Sequence, residues 1–475
     1  MASTSVKDKA LRLMRVVASS SCRCPAHSHA FGQGSCSRLG SSTAEEHVEP
    51  EYAFEMASSS IRYGEGVTRE VGMDFQNMKA KKVCVVTDKQ LSKLPPLHQA
   101  IEALAKSKVE YDVYDKVRIE PTDTSFKDCI DFAKRGDYDA FLAVGGGSVI
   151  DTAKAANLYS CYPDSDFLDF VNAPIGHGKP VDKRLKPLIA VPTTAGTGSE
   201  TTGVAIFDYE PLKAKTGIAN RAIRPLLGIV DPLHTLHMPE RVTANSGFDV
   251  LCHSIESYTA IPYTKRGPRP TNPNMRPAYQ GSNPISDVWA LHALRIVHKY
   301  MKRAVKDPQD LEARSAMHLA SVYAGVGFGN AGVHLCHGMS YPISGLVKSY
   351  RAKDYDVEHP LVPHGLSVVL TAPAVFAFTA AACPERHIEV ARLLGADTTN
   401  TKKEDAGLLL ADTLRQFMLS LDVDNGLKAL GYSNDHIPEL VQGTIPQQRV
   451  TKLAPAGTPG EEELAMLFEN SMTVY

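Results

Sequence analysis

The stretch YDAFLAVGGGS, Tyr138–Ser148, decides the fold of this chain. Its first part contains an apolar run of the kind found in strands that a parallel sheet buries on both faces. Three glycines end the run, and Val149–Tyr159 continues with a helical pattern. Glycine lets the backbone approach a ligand closely, and a helix N-terminus offers free N–H groups to a phosphate. The stretch therefore predicts a strand, a phosphate-binding turn and a helix.

Further strands and helices alternate around this unit. Lys81–Asp88, Val109–Asp115 and Leu188–Thr194 have the composition of buried strands, and Thr124–Arg135 has that of a helix. Strands separated by helices imply a mainly parallel sheet that is covered on both faces. We therefore predict an α/β dinucleotide-binding domain at residues 46–231.

The pattern becomes helical after Asp231, while Ile261–Pro284 is predicted to be a long loop. Apolar residues recur at helical spacing in segments that we predict as helices, namely Val242–Ala260, Ser286–Ala304, Asp310–Gly325, Ala331–Met339, Leu366–Ala382 and Ala406–Ser420. The length of 475 residues exceeds one ordinary core. We therefore predict an all-α second domain at residues 232–475.

Composition and charge exclude several classes of function. Apolar residues make up 43% of the chain and charged residues 22%, as in a soluble globular protein. A net charge of −2 gives no reason to expect a nucleic-acid partner. No apolar stretch approaches the roughly 18 residues of a membrane helix, so we expect no membrane insertion. The 9 cysteines lack paired spacing, which favours a reducing compartment.

Residues 1–45 differ in composition from the rest of the chain. They are rich in serine and in basic residues, and Asp8 is their only acid before Glu45. Ala10–Val17 has the pattern of a short basic amphipathic helix. This composition is typical of a mitochondrial transit peptide and predicts a protein of the mitochondrial matrix. The alternative is a disordered tail with an accidental bias.

A second glycine-rich strand end strengthens the phosphate-binding prediction, since the GGGS turn alone is neither the usual dinucleotide fingerprint nor a P-loop. The run PTTAGTGSE, Pro192–Glu200, carries hydroxyls and glycines at the carboxyl edge of the sheet, where parallel sheets bind ligands. These two strand ends are predicted to bind NAD. The candidate cofactor residues are Asp88, Gly145, Gly146, Gly147, Ser148, Asp151, Thr193, Thr194 and Thr197.

Asp88 has two equally supported roles at the end of the first strand. It is placed to accept hydrogen bonds from an adenosine ribose, which would favour NAD over the 2′-phosphorylated cofactor because the carboxylate repels that phosphate. Aspartate is also a common residue at the N-terminus of a helix, where its side chain caps free N–H groups. The sequence leaves both roles open.

Two segments bring a carboxylate and several histidines to spacings that suit one divalent metal ion. In the run GFDVLCHSIE, Asp249 and His253 are four residues apart, so a helix would place them on one face with about 6 Å between their Cβ atoms. The second segment offers His334, His337 and, later, His364. A metal with an open coordination position is a Lewis acid for a substrate oxygen. A metal site beside a dinucleotide site predicts an oxidoreductase.

The segment PERVTANSGFD, Pro239–Asp249, resembles the signature of the iron-containing (group III) alcohol dehydrogenases. The GGGS turn, the PTTAGTGSE run, the HGM segment and the PHG tripeptide occur in the order of that family. The resemblance covers about residues 50–475. It implies the fold shared with dehydroquinate synthase-like proteins, with an α/β cofactor domain, a helical metal domain and an active site between them. The lyases of that fold are set aside, because their ligand set includes a glutamate where this chain has Asp249.

The resemblance implies a metal held by one aspartate and three histidines. By motif position these ligands are Asp249, His253, His337 and His364. This ligand set suits Fe²⁺ and Zn²⁺ alike, so the metal stays open. The resemblance also implies that His334 is not a ligand, and that Lys215 matches a lysine near the cofactor.

Tyr341 departs from the family pattern. Many dehydrogenases of the family carry a histidine four residues after the HGM histidine, where it helps to move the alcohol proton, and this chain has Tyr341 there. A phenol with a pKa of about 10 stays neutral at pH 7 and is a poor base. Tyr341 is therefore a candidate catalytic residue that either donates a hydrogen bond or only shapes the pocket.

Two insertions carry basic residues and border the expected cleft. They are Ile261–Pro284 and the stretch between His337 and His364. Arginine binds carboxylates through two parallel hydrogen bonds. One arginine of these insertions is a candidate for binding the far carboxylate of a dicarboxylic oxo acid, and the alternative is a solvated loop. The candidates are Arg266, Arg269, Arg276 and Arg351.

The leader, the insertions and Tyr341 together narrow the activity that the resemblance implies. With them the chain resembles one mitochondrial member of the family, and this resemblance implies oxidation of 4-hydroxybutyrate to succinate semialdehyde, coupled to reduction of 2-oxoglutarate to D-2-hydroxyglutarate through tightly bound NAD. The small-molecule partners are therefore hydroxy acids and oxo acids, and a homodimer is compatible with the sequence. An ordinary NAD-dependent dehydrogenase that releases NADH is the alternative. A non-catalytic metal- or nucleotide-binding protein is a third hypothesis.

Overall fold

A parallel sheet forms the N-terminal half of the protein. A computed structural model describes residues 49–475, so the predicted transit peptide lies outside the described residues. Six parallel strands lie in the order β1-β8-β5-β4-β2-β3, and β6 and β7 form a separate antiparallel pair. The strands are β1 Ser60–Tyr63, β2 Lys82–Val86, β3 Glu110–Tyr114, β4 Ala140–Gly145, β5 Leu188–Pro192, β6 Val204–Tyr209, β7 Ala214–Ala219 and β8 Leu227–Val230.

Helices accompany the sheet and then make up the regular structure after β8. The helices of the first part are α1 Val71–Asn77, α2 Pro95–Lys106, α3 Asp123–Arg135 and α4 Gly147–Cys161. Those that follow are α5 Glu240–Thr259, α6 Pro284–Lys306, α7 Leu311–Ala331, α8 Leu335–Gly345, α9 His364–Val369, α10 Ala372–Thr379, α11 Pro384–Leu393, α12 Ala406–Leu419, α13 Ile437–Thr444, α14 Gln448–Thr451 and α15 Glu461–Asn470. The predicted fold class, an α/β part followed by a helical part, is confirmed. The domain boundary at residue 231 stays a prediction. No helix among residues 49–475 combines the length and apolar composition of a membrane span.

The sheet is buried on both faces, as its apolar strands predict. Val83 of β2 packs into one apolar cluster and its neighbour Cys84 packs into another, because successive side chains of a strand point to opposite faces. Leu104 of α2 belongs to the first cluster, and Ile150 of α4 belongs to the second. Each such buried apolar side chain contributes about 1.5–3 kcal/mol. Helices on both faces thus hold the carboxyl ends of β4 and β5 in place.

Helix α5 lies at the centre of the helical part, where it packs against α6, α7 and α9. Phe248, Leu251 and Ile255 join its apolar core. The same helix also buries Asp249 and Glu256, together with a histidine between them. A buried charge is costly unless it is paired or bound to a metal. This central helix therefore needs polar partners inside the core.

Two predicted helices have different bounds in the structure. The prediction Ala331–Met339 is wrong, because α7 extends to Ala331 and α8 begins only at Leu335. Gly332 separates them with a φ of 96°, a conformation that ends a helix and that glycine adopts without strain. The predicted helix Leu366–Ala382 is likewise divided into α9 and α10. The turn at Gly332 redirects the chain, so that α8 brings His337 to α5.

Glu200 provides a test of this fold through the dependence of stability on pH. It lies in a short turn after β5, is 1% exposed, and has an Oε1 without a hydrogen-bond partner. Burial raises the pKa of Glu200 from 4.5 to about 7. The native state therefore holds a proton that the unfolded state releases between these values, and stability falls as pH rises through this window. The cost of the buried charge is fully present above pH 7.

We expect Glu200→Gln to raise the free energy of unfolding at pH 8 by up to about 3 kcal/mol, since one pKa unit corresponds to about 1.4 kcal/mol. At pH 5 the gain should be much smaller, because Glu200 is then largely protonated in the native state. Denaturant unfolding at both pH values measures the difference. The control is Glu102→Gln, at an exposed position of α2. An equal gain at both pH values would contradict the prediction.

Candidate metal and cofactor site

Helices α5 and α9 approach each other closely at the centre of the site. Asp249 and His253 lie one turn apart on α5, as their spacing predicts, and both are buried. His364 begins α9, and its neighbour Gly365 touches α5 directly. A Cβ on Gly365 would lie 1.9 Å from the carbonyl oxygen of Asn245, so only glycine permits this approach. The PHG tripeptide thus brings His364 to α5.

His337 comes from α8, and Glu256 of α5 holds its ring. Nδ1–H of His337 donates a short hydrogen bond to Oε2 of Glu256, while Oε1 of Glu256 accepts one from the backbone N–H of Cys336 at 2.6 Å. Because Nδ1 is occupied, Nε2 is left to face Asp249. Glu256 was not among the residues predicted from the sequence. An acid three residues after His253 on an apolar helix was the available signal.

The predicted ligands converge on one oxygen. Single donor atoms of Asp249, His253, His337 and His364 all lie within 4.8 Å of one another. The Nε2 atoms of the histidines lie 3.6, 3.5 and 3.6 Å from Oδ1 of Asp249, in that order. Tetrahedral ligands with bonds of about 2.0–2.2 Å would stand about 3.3–3.6 Å apart. The spacing therefore fits one divalent cation.

Two of the convergent donor atoms have no hydrogen-bond partner. Oδ1 of Asp249 and Nε2 of His337 are buried and make no hydrogen bond within the protein. A buried polar atom without a partner costs about 1–3 kcal/mol, and more when it is charged. A cation among the four residues would satisfy both atoms at once. The donor set, three imidazoles and one carboxylate, suits Fe²⁺ and Zn²⁺.

The electrostatics of the cluster also suit a cation. Burial lowers the pKa of His253 to about 3 and lowers that of His364, so both imidazoles are neutral and offer a lone pair. Burial acts to raise the pKa of Asp249, but the three histidines hold it well below its ordinary range. For His337, burial opposes the charged form, whereas Glu256 and Asp249 raise its pKa to about 9. A metal at Nε2 would take the place of that proton.

His334 lies next to the cluster without joining it. Its Nε2 is 2.9 Å from the hydroxyl of Thr259, and its Nδ1 is 3.3 Å from Glu256. Nδ1 makes no hydrogen bond, and burial lowers the pKa of the imidazole to about 4, so His334 lies neutral beside Glu256. The structure places it outside the group of convergent donors.

A cavity of about 410 Å³, here the cofactor cavity, connects the sheet edge with the cluster. Asp249 and His364 line one end of it, and Asp88 lines the other. Seven of the candidate cofactor residues face this cavity, namely Asp88, Gly146, Gly147, Ser148, Thr193, Thr194 and Thr197. The structure thus brings together residues from three strand ends.

Asp88 combines features of its two predicted roles. Its Oδ1 accepts hydrogen bonds from the backbone N–H groups of Gln90 at 2.8 Å and Leu91 at 2.9 Å, which caps the short turn that follows. Burial raises the pKa of its carboxyl group. Since Asp88 also lines the cofactor cavity, capping does not exclude contact with a ribose.

The glycines of the GGGS turn allow two strand ends to pack together. A Cβ on Gly147 would lie 2.6 Å from Cγ2 of Thr197, and one on Gly146 would lie 3.1 Å from Cγ2 of Thr194. Gly145 ends β4. Helix α4 begins at Gly147, so its free N–H groups lie at the cofactor cavity. This is the arrangement that a diphosphate requires.

A smaller cavity of about 110 Å³, here the inner cavity, lies on the other side of the cluster. Ser148, Asp151, Lys215 and Tyr341 line it together with the four convergent residues. Asp151 accepts hydrogen bonds from the hydroxyl of Ser199 at 2.5 Å and from the backbone N–H of Ile206 at 2.9 Å. These bonds stabilise the turn after β5. Asp151 and Lys215 therefore face the inner cavity rather than the Asp88 end.

Lys215 is a buried cation with two carboxylate partners. Its Nζ lies 2.5 Å from Glu120 and 3.3 Å from Asp208. Burial alone would lower the pKa of Lys215, but the two carboxylates raise it. Lys215 thus remains charged, and its charge is neutralised within the protein.

Tyr341 meets an arginine that the sequence analysis did not identify. Nη2 of Arg449 donates a hydrogen bond of 2.8 Å to the hydroxyl of Tyr341. The guanidinium group also lies over the ring of Tyr279, 5.1 Å from its centroid. Tyr279 and Tyr341 both line the inner cavity. No sequence signal linked Arg449 to Tyr341, because 108 residues separate them.

The insertion arginines do not reach either cavity. Arg276 pairs with Glu51 at 3.0 Å, and Arg269 pairs with Glu49 at 2.9 Å. Arg266 and Arg351 are also absent from the lining of both cavities. The first insertion instead contributes Tyr279.

Comparison with known proteins relates the whole described chain to one family. The family model for iron-containing alcohol dehydrogenases matches residues 58–232, and the C-terminal model of the same family matches residues 278–472. The mitochondrial hydroxyacid-oxoacid transhydrogenase of Bos taurus is 67% identical over 470 residues, which cover 99% of each chain. Its name confirms the predicted mitochondrial location.

Solved structures share the fold. A 1,3-propanediol oxidoreductase has a TM-score of 0.76 and 25% identity, over 88% of this chain and all of its own. A sulfoacetaldehyde reductase from Bifidobacterium kashiwanohense, solved in complex with NAD⁺, has a TM-score of 0.70 and 26% identity, over 89% of this chain and 99% of its own.

The position of Glu256 predicts a role in metal affinity. We expect Glu256→Gln to weaken metal binding about 10- to 100-fold, because a carboxylate behind a ligating histidine orients the ring and increases its basicity. Competition with a chelator measures the affinity directly, without an activity assay. The control is Glu240→Gln, at an exposed position of the same helix. Unchanged affinity in a folded Glu256→Gln protein would refute this role.

Proposed function

Because the chain belongs to the iron-containing alcohol dehydrogenase family and is an oxidoreductase that acts on CH–OH groups, we propose that it is a hydroxyacid-oxoacid transhydrogenase. In this proposal it oxidises 4-hydroxybutyrate to succinate semialdehyde and reduces 2-oxoglutarate to D-2-hydroxyglutarate. The hydride passes through NAD that stays bound between the two half-reactions.

One observation carries the proposal. The convergent donors of Asp249 and His364 line the cofactor cavity and the inner cavity alike, so the two cavities meet at the cluster. A nicotinamide ring in the first cavity and a small acid in the second would then come together beside the same four residues. Hydride transfer requires such proximity and orientation.

Each group of residues has a separate task in this proposal. Asp249, His253, His337 and His364 would hold the metal. Asp88, Gly145–Ser148, Thr193, Thr194 and Thr197 would hold NAD, while Asp151 and Lys215 border the substrate. When bound, the metal supplies a Lewis acid for the reacting oxygen and NAD supplies the hydride carrier.

The proton balance of the reaction explains the tyrosine at position 341. Oxidation of an alcohol group releases one proton with each hydride, and reduction of an oxo group consumes one. An ordinary dehydrogenase must therefore deliver a proton to solvent in every turnover. In a transhydrogenase, the proton that the first half-reaction releases is balanced by the proton that the second consumes. A relay histidine at the position of Tyr341 is less necessary in this case. The tyrosine at this position therefore favours the transhydrogenase over an ordinary NAD-dependent dehydrogenase that releases NADH.

The loop between α8 and α9 supports retention of NAD. Asp354, Tyr355 and Asp356 line the cofactor cavity. Nε2 of Gln90 donates a hydrogen bond of 2.6 Å to Oδ2 of Asp356, which ties this loop to the segment after β2. The loop therefore covers the cavity that NAD would occupy.

Isotope transfer distinguishes the two candidate functions. Holoenzyme given 4-hydroxybutyrate deuterated at C4, together with 2-oxoglutarate, should yield 2-hydroxyglutarate with deuterium at C2, and removal of the metal by a chelator should abolish the reaction. Mass spectrometry measures the label. Steady accumulation of NADH from 4-hydroxybutyrate and added NAD, without any oxo acid, would favour the ordinary dehydrogenase.

The contact between Gln90 and Asp356 gives a test of cofactor retention. We expect Gln90→Ala to purify with less nicotinamide per chain than the unaltered protein, because one tie across the cofactor cavity is lost. Denaturation of the pure protein followed by chromatography of the supernatant measures this content. Gln416→Ala, at an exposed position of α12, is the control. If the unaltered protein itself releases no nicotinamide, retention is refuted.

A further inference from the structure

Arg449 places a positive charge beside the inner cavity. Its Nη1 is buried and has no hydrogen-bond partner, although Nη2 bonds to Tyr341. The neighbouring groups that stabilise the charged form of this guanidinium are the phenols of Tyr341 and Tyr279 rather than carboxylates. Burial of an unpaired charge is costly, so such a group is expected to have a ligand that the protein itself does not supply.

Tyr341 links Arg449 to the inner cavity, because it bonds to the arginine and lines the cavity. It lies four residues after His337 on α8, so both side chains lie on one face of the helix and line the inner cavity. The phenol oxygen accepts a hydrogen bond from Arg449. Its own O–H is therefore free to donate to an acceptor in the cavity.

Lys215, which lines the inner cavity, and Lys154, which lies next to the lining residue Asp151, are already neutralised. Lys215 is paired with Glu120 and Asp208. Lys154 is paired with Asp151 and donates to the hydroxyl of Ser199. The Tyr341 end is thus the part of this cavity where a further negative charge finds an unpaired cation.

We propose that Tyr341 and Arg449 together bind the carboxylate of the substrate that lies away from the reacting carbon. Tyr341 donates a hydrogen bond to this carboxylate, and Arg449 acts as a positioning residue that orients the phenol and supplies the charge. This inference rests on the proposed function and names the recognition group that it requires.

Both proposed substrates suit one such anchor. In 4-hydroxybutyrate, two methylene groups separate the reacting C4 from the carboxylate. In 2-oxoglutarate, two methylene groups also separate the reacting C2 from the C5 carboxylate. A carboxylate site at one fixed distance from the cluster therefore serves both half-reactions. The semialdehyde and the hydroxy acid that are formed keep the same spacing.

The test compares an acid with a neutral alcohol in the same holoenzyme. We expect Arg449→Met to raise the KM for 4-hydroxybutyrate about 10- to 100-fold, the range for loss of hydrogen bonding to a charged group. With NAD as the hydride acceptor and no oxo acid in either assay, the KM for 1-butanol, which lacks the carboxylate, should rise far less, and kcat should change little for either substrate. Arg449→Lys should recover part of the loss, because it keeps the charge without the planar fork. Arg392→Met, at an exposed ion pair, is the control and should change neither KM.

Inhibition by glutarate gives a reading that does not depend on hydride exchange. Glutarate carries the same carboxylate but no reacting group, so it should inhibit hydride transfer from 1-butanol to NAD, followed without any oxo acid, and it should lose potency in Arg449→Met to a similar degree. If unaltered protein does not exchange hydride between the two acids, yet glutarate inhibition still depends on Arg449, the proposed function fails and the carboxylate site stands. If exchange occurs and Arg449→Met retains the KM for 4-hydroxybutyrate, the inference fails.

Folding and metal content are checked by thermal unfolding and metal analysis. If Arg449→Met does not fold, Tyr341→Phe decides, because it removes only the donor hydroxyl and should raise the acid KM selectively. An equal loss toward acid and alcohol in a folded, metal-loaded variant would assign the pair a merely structural role and overturn the proposal.

Discussion

The structure depends on one buried carboxylate oxygen that three imidazoles surround. Oδ1 of Asp249 lies 3.5–3.6 Å from three Nε2 atoms, too far for hydrogen bonds and at the separation expected between ligands of one cation. Asp249 lies on α5, the helix around which the helical part packs. A carboxylate buried in this core is stable only beside a positively charged partner. Metal binding should therefore stabilise the helical part of the protein.

The polar groups around this oxygen form two layers. His253 is buried and His364 is half-buried, and loss of solvation keeps both neutral, whereas the charged Glu256 holds His337 through a hydrogen bond. Glu256 is in turn satisfied by the N–H of Cys336. The hydrogen bond at Nδ1 fixes the ring of His337, so its Nε2 points in one direction. The donors are therefore in position before a metal binds.

The position of the cluster between two cavities gives the site its chemistry. The carboxyl ends of the strands and the N-terminus of α4 supply neutral N–H groups and hydroxyls to the cofactor cavity, which suits a diphosphate. The inner cavity is small, and Lys215 in its lining is paired with carboxylates, whereas Tyr341 in the same lining bonds to Arg449 behind it. In the proposed function, a dinucleotide would bind in the cofactor cavity and a small acid in the inner cavity, both beside the four donors.

The parallel sheet, the glycine-rich turn after β4 and the spacing of Asp249 and His253 could be read from the sequence alone, because each depends on residues that are close together in the chain. The edge strand β1 is too short to be recognised without its partner β8. Only the tertiary structure decided that α8 begins after Gly332, that Glu256 holds His337, and that the arginine at the inner cavity is Arg449 rather than one of the insertion residues. These contacts join distant segments, and their geometry follows from how helices pack rather than from local periodicity.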